Sequence, residues 1–151
     1  MKQKLNCIML IDDDEPTNFV STIYLEEAQC TQHIQIADTG QKALNYLTNS
    51  EEFACHNDNY PCPDLIFLDI NMPAMDGWEF LEKYKQLKKE YHGKVIIIML
   101  TTSLNPDDKI RAGKIPEISG FLIKPITAEV IDDVLREYFG WQLQKPPELA
   151  H

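Results

Sequence analysis

The sequence predicts an α/β fold, a parallel five-stranded sheet with helices on both faces, and three observations carry the prediction. Short runs of branched apolar residues recur at Cys7 to Ile11, Ile34 to Ala37, Leu65 to Leu68, Val95 to Leu100 and Phe121 to Ile123. Most of these runs are nearly continuous rather than alternating, as strands covered on both faces read. Between them lie stretches whose apolar residues return every three or four positions. Strand followed by helix, repeated along the chain, implies a parallel sheet with right-handed crossovers.

Taken in order, the first strand runs into Asp12-Asp13-Asp14, and Asp14 suits the N-cap of a helix with Pro16 in its first turn. Phe19, Val20 and Ile23 share one face of that helix. Ala43, Leu44 and Leu47 repeat the pattern after the second strand. The segment from Thr48 to Asp64 is long and polar, and Pro61 and Pro63 mark it as an exposed loop. The third strand ends at Asp69, and Asp76-Gly77 is the turn that starts a helix carrying Phe80, Leu81, Tyr84 and Leu87. A short helix begins near Pro106 and stops before Pro116. Val130, Val134, Leu135 and Tyr138 mark the last helix. After Phe139 the pattern lapses and a Pro-Pro pair follows, so one domain is expected over 5–139. Residues 140–151 then form a loosely packed C-terminal extension with no separate output domain.

A chain of 151 residues suits one domain. Acidic residues number 24 against 14 basic ones, a net charge of −10, which argues against nucleic acid as a partner. No apolar run approaches the roughly 20 residues that cross a bilayer, which argues against a membrane protein. The first apolar run ends in three aspartates, unlike a signal peptide, so a cytoplasmic protein is expected. Cys7, Cys30, Cys55 and Cys62 read as free thiols in that setting. Cys55, His56 and Cys62 lack the paired spacing of a structural zinc site.

Ligand sites of open parallel sheets lie outside the carboxyl ends of the strands, where strand order reverses. Those ends deliver Asp12 and Asp13, Asp69 followed by Ile70-Asn71-Met72-Pro73, Thr101, and Lys124 followed by Pro125. Several carboxylates held together repel one another, and a hard divalent cation that prefers oxygen ligands relieves the repulsion. A carboxylate in such a place can act as a nucleophile toward phosphorus. Phosphoryl transfer needs mainly positioning and charge stabilisation, which a lysine and a hydroxyl can supply.

The run Ile8-Met-Leu-Ile-Asp-Asp-Asp14, the run Leu68-Asp-Ile-Asn-Met-Pro-Ala-Met-Asp-Gly77, Thr101 and Lys124-Pro125 resemble the receiver domains of two-component response regulators, of the chemotaxis type that stands alone. The resemblance extends over roughly Leu5 to Phe139 and implies a flavodoxin-like three-layer sandwich with strand order 2-1-3-4-5. It makes Asp69 the phosphoacceptor. Asp12, Asp13, Asp69 and the Asn71 backbone carbonyl would hold Mg²⁺ or Mn²⁺, and Thr101 and Lys124 would contact the phosphoryl group. Phe121 falls where the family has an aromatic switch residue, a role to weigh against plain core packing. Thr101 moves with it, and Asn71 and Ser103 stand where side chains influence attack by water. The family's Lys-Pro peptide is usually cis.

The resemblance also implies partners: a histidine kinase or histidine phosphotransfer protein as donor, docking beside the first helix, and an unknown downstream protein reading a surface of the fourth helix, fifth strand and fifth helix. Dimers occur in the family. Two other functions compete. A receiver used only as a protein-binding module would not need the full acidic and basic set. A haloacid-dehalogenase-like phosphatase would carry a second aspartate two positions after its nucleophile, where this chain has Asn71.

Overall fold

The branched apolar runs form the central strands in the computed structural model, which describes residues 4–48, 56–57, 60–87, 95–102 and 105–141. The chain follows β1 (Ile8–Ile11), α1 (Glu15–Ala28), β2 (Ile34–Ala37), α2 (Gly40–Thr48), β3 (His56–Asn57), β4 (Tyr60–Pro61), β5 (Leu65–Asp69), α3 (Gly77–Lys85), β6 (Ile96–Thr101), α4 (Pro106–Gly113), β7 (Gly120–Ile123) and α5 (Ala128–Phe139). β3 and β4 form a small antiparallel pair of their own. The other strands build one parallel sheet in the order β2-β1-β5-β6-β7, which is the expected 2-1-3-4-5 arrangement of sheet strands. Strand order therefore reverses between β1 and β5, and Asp12 and Asp69 come off neighbouring strands at that point.

Alternation along the strands splits the core into two layers. Met9, Ile11, Ile66, Leu68, Ile97 and Met99 pack under Leu44 and Leu47 of α2, Phe80, Leu81 and Tyr84 of α3, and Ala112 of α4. Ile8, Leu10, Leu65, Phe67, Ile98 and Leu100 pack under Leu25 of α1 and Ile131, Val134 and Leu135 of α5. Burying a Leu, Ile or Phe fully contributes about 1.5–3 kcal/mol, so β1, β5 and β6, buried on both faces, carry most of the sheet's stability. The edge strands β2 and β7 are only partly covered.

Local signals fix the helix starts. Asp14 caps α1 by accepting from the Thr17 N–H at 2.9 Å and from its hydroxyl. Asp76 and Glu79 form a reciprocal capping box on α3, with bonds of 2.8 and 3.0 Å. Asn105 and Thr127 cap α4 and α5. Arg111 of α4 lies 4.3 Å over the Trp78 ring, joining α4 to the first turn of α3.

The apolar residues Phe19, Val20 and Ile23 of α1 point to solvent, Phe19 at 67% exposure, while the buried stripe is Asn18, Ser21 and Leu25. Two expectations need correction. The connection after α2 is not a plain exposed loop: it contains the β3–β4 hairpin, tied back to α2 by the Tyr46 hydroxyl, which donates to the Pro61 carbonyl at 2.7 Å. Cys7 and Cys30 are free thiols as expected, but Cys62 is disulfide-bonded. The hairpin turns the chain back on itself in register His56↔Pro61, a proximity that loop composition alone does not express. Cys55 lies outside the described residues, as do Ser103 and positions 142–151. Gly140 and Trp141 continue directly from the end of α5. Gly140 adopts the left-handed conformation that ends the helix, and Trp141 packs on the core. Among the described residues no helix is long and apolar enough to cross a membrane.

Candidate functional site

Asp12 follows the last residue of β1, and its polar groups are engaged one by one. Its N–H donates to the Ala37 carbonyl at 3.1 Å, extending the pairing with β2. Its Oδ1 accepts from the Asp14 N–H at 2.9 Å, and its carbonyl accepts from Asn18 Nδ2 at 2.8 Å. Its Oδ2 lies 2.7 Å from Lys124 Nζ. Asp13 is exposed beside it.

Asp69 is the last residue of β5. The same lysine reaches its Oδ1 at 3.2 Å, and the Asn71 N–H approaches that oxygen at 3.4 Å. Asp12 and Asp69 are each only 4% exposed, so the lysine joins two buried carboxylates. The chain then turns sharply: Ala74 has φ 67°, and the Met75 N–H donates to the Pro73 carbonyl at 2.7 Å across it. The Gly77 N–H returns to the Ile70 carbonyl at 2.8 Å. A β-carbon at Gly77 would come within 2.8 Å of the Asp69 carbonyl oxygen, so glycine lets α3 start directly against the Asp69 backbone.

Thr101 ends β6 in a buried position, and its carbonyl accepts the Lys124 N–H at 2.7 Å. Lys124-Pro125 is cis, and the lysine side chain runs across the strand ends to Asp12 and Asp69. Asn71 is exposed at the rim. Phe121 is half-buried on β7 opposite Met99, packed against the core layer of α2, α3 and α4.

Burial, and then the charge of Asp12, push the Asp69 carboxyl up to about 6, and the Lys124 ammonium only partly offsets them. Burial alone would lower the Lys124 ammonium, but its bonds and charge interactions with Asp12 and Asp69 outweigh burial and leave it raised. The site is short of positive charge even with Lys124 in place. One carboxylate oxygen from each of Asp12, Asp13 and Asp69 lies within 4.8 Å of the others. This hard-oxygen set, open on the Asp13 side, fits a divalent cation that keeps part of its water shell.

Asp12, Asp13, Asp69, Thr101 and Lys124 thus meet at one sheet edge as the strand-end positions imply, and Asp14 and Asp76 act as caps. Asn18 and the backbone role of Gly77 were not legible as site features. Spacing along this helix marks only its apolar residues, and only the fold brings Asn18 beneath Asp12.

Fold and site together define a receiver. Residues 8–136 match the response regulator receiver domain family, and the chain belongs to that family. Among curated relatives it is 32% identical over 106 residues to the response regulator Rcp1 of Synechocystis, covering 68% of this chain and 66% of that protein. It is 26% identical over 144 residues to a probable methanogenesis regulatory protein, FilR2, of Methanothrix harundinacea, covering 93% of this chain and 88% of the relative. Among solved structures, a two-component response regulator from Cytophaga hutchinsonii superposes with a TM-score of 0.80 at 28% identity, covering 92% of this chain and all of that one (100%). Receiver domains bind Mg²⁺ at an acidic pocket and interact with histidine kinases or phosphotransfer proteins.

Proposed function

We propose that Asp69 takes up a phosphoryl group from a phosphohistidine on a histidine kinase or phosphotransfer protein, and that this chain works as a cytoplasmic phosphorylation switch built on residues 5–139. The observation that carries the reading is the meeting of the Asp69 carboxylate, two further aspartates and the Lys124 ammonium at the point where strand order reverses.

In this reading a carboxylate oxygen of Asp69 attacks phosphorus, the P–N bond to the donor imidazole breaks, and an acyl phosphate forms. Lys124, held in place by Asp12, presents a fixed positive charge to one phosphoryl oxygen, and the Thr101 hydroxyl donates to another. Asp12, Asp13, Asp69 and the Asn71 carbonyl would hold Mg²⁺ or Mn²⁺, which when bound neutralises the carboxylates and the charge on the transferring group. Water attack on the acyl phosphate later restores Asp69. Thr101 sits one β6–β7 backbone bond from Lys124, so its movement toward a phosphoryl group bears on β7. Through Phe121 it biases the surface of α4, β7 and α5 that a downstream protein, or a second copy, would read.

The exposed face of Phe19, Val20 and Ile23 begins a few residues after Asp13 and supports docking of the donor on α1. The test is labelling with acetyl phosphate and Mg²⁺, followed by intact mass. One phosphoryl adduct, labile to hydroxylamine and absent from Asp69→Ala, is expected. An unchanged adduct in that variant would remove Asp69 from the role.

A further inference from the structure

Asn18 is buried to 5% exposure on the inner stripe of α1, where it precedes Leu25 by two turns. Packing against an apolar sheet layer favours an aliphatic side chain on such a stripe. The residue present is instead an amide whose Nδ2–H donates to the Asp12 carbonyl at 2.8 Å, six residues back. That carbonyl lies just beyond β1 and before the first residue of α1, in a buried place where a carbonyl needs a donor. The bond pins the Asp12–Asp14 turn to the first turn of the helix. Both carboxylates of the Asp12-Asp13 pair hang from that turn.

We infer that Asn18 is a positioning residue for the cation site, holding the main chain of Asp12 so that the Asp12 and Asp13 carboxylates face Asp69. The inference rests on reading Asp12, Asp13 and Asp69 as a divalent-cation site. Groups that orient metal ligands govern affinity without touching the ion, because a ligand free to turn aside must be fixed again on binding. Leucine has the same branched heavy-atom skeleton as asparagine, somewhat bulkier, but no donor. At position 18 it would fill the space and leave the Asp12 carbonyl unpaired.

The experiment compares the wild-type chain, Asn18→Leu and Leu25→Ala by Mg²⁺ titration calorimetry and by melting in EDTA. Leu25→Ala loosens the packing of the same helix without touching Asp12. Asn18→Leu should bind Mg²⁺ roughly tenfold more weakly or worse. Leu25→Ala should melt lower yet keep its affinity within about twofold, because its site is independent of the turn. Equal Mg²⁺ affinity in wild type and Asn18→Leu would overturn the inference, as would an equal loss in Leu25→Ala. Asn18→Ala serves the same comparison should the leucine variant fail to fold. A wild-type chain that takes up no Mg²⁺ would instead overturn the cation site beneath it, an outcome distinct from the other two.

Discussion

The Lys124 ammonium sits 2.7 Å from Asp12 Oδ2, closer than its 3.2 Å approach to Asp69 Oδ1. The lysine is thus the counter-charge of the first strand's aspartate, besides the contact to a phosphoryl oxygen that we propose for it. Removing it leaves two buried carboxylates facing each other, and breaking a buried pair costs on the order of 3 kcal/mol. Lys124→Met should therefore melt well below the wild type in EDTA. Mg²⁺ bound at the proposed site would supply the missing positive charge, so its addition should raise the melting temperature of the variant by more than it raises the wild type. Thermal melts with and without Mg²⁺ measure both, and equal increments in the two proteins would count against this use of Lys124.

Gly77 and Gly113 separate a glycine that the fold demands from one that it tolerates. A β-carbon at Gly77 would meet the Asp69 carbonyl oxygen at 2.8 Å and the Ile70 α-carbon at 3.0 Å, and backbone cannot move aside as a flexible side chain can. Gly77→Ala should destabilise by roughly 1–3 kcal/mol and also slow labelling by acetyl phosphate, because the strain falls on the Asp69 main chain. At Gly113, at the end of α4, a β-carbon meets nothing within 4 Å. Gly113→Ala should be neutral or gain up to about 1 kcal/mol. Chemical denaturation of both variants checks the pair, and similar values would remove the distinction.

Much of this was legible in the sequence because the signals were local or periodic. Continuous apolar runs gave β1, β5 and β6, the Asp14 and Asp76 caps gave two helix starts, and the strand ends gave Asp12, Asp69, Thr101 and Lys124. What stayed hidden depended on how the elements pack. Spacing puts Phe19, Val20 and Ile23 on one side of α1 but does not say that this side faces water. The inner stripe is polar near the sheet edge because it meets the main chain of Asp12, a demand that hydrophobic periodicity does not register. The Cys62 disulfide likewise follows a hairpin within a segment that reads as loop.

Cys7 and Cys30 give a pH dependence. Burial is the main cause that pushes the Cys7 thiol up to about 12 and the Cys30 thiol up to about 11, against an ordinary value of 9.0. Above that ordinary value the unfolded chain releases both protons while the folded chain keeps them. The folded state then binds more protons, so stability must fall as pH rises. The contribution of these thiols is complete below pH 9.0 and is lost progressively toward about 11 for Cys30 and about 12 for Cys7. Urea midpoints from pH 8 to 10.5 should decline, and Cys7→Ala with Cys30→Ala should decline less steeply, whatever their stability at pH 8. At pH 8 both thiols should also resist iodoacetamide in the folded protein and react after unfolding.

The outward face of α1 is where the proposed docking of the donor can be tested. Phe19 is 67% exposed, and Val20 and Ile23 continue the same patch at 43% and 39%. A mostly exposed surface side chain contributes little to stability, so Phe19→Ser should change the unfolding free energy by no more than about 0.5 kcal/mol. Acetyl phosphate is small and needs no docking surface, so labelling of Asp69 by it should match the wild type. A phosphorylated histidine phosphotransfer protein must bury surface to bring its phosphohistidine to the Asp12–Asp69 edge, and an exposed aromatic is the kind of group that anchors such contacts. Transfer from that donor should slow at least about tenfold, equivalent to losing roughly 1.4 kcal/mol of interface. The two rates measured side by side isolate docking from chemistry. If both fall together, Phe19 acts on the site rather than on the partner; if neither falls, the donor approaches over another face.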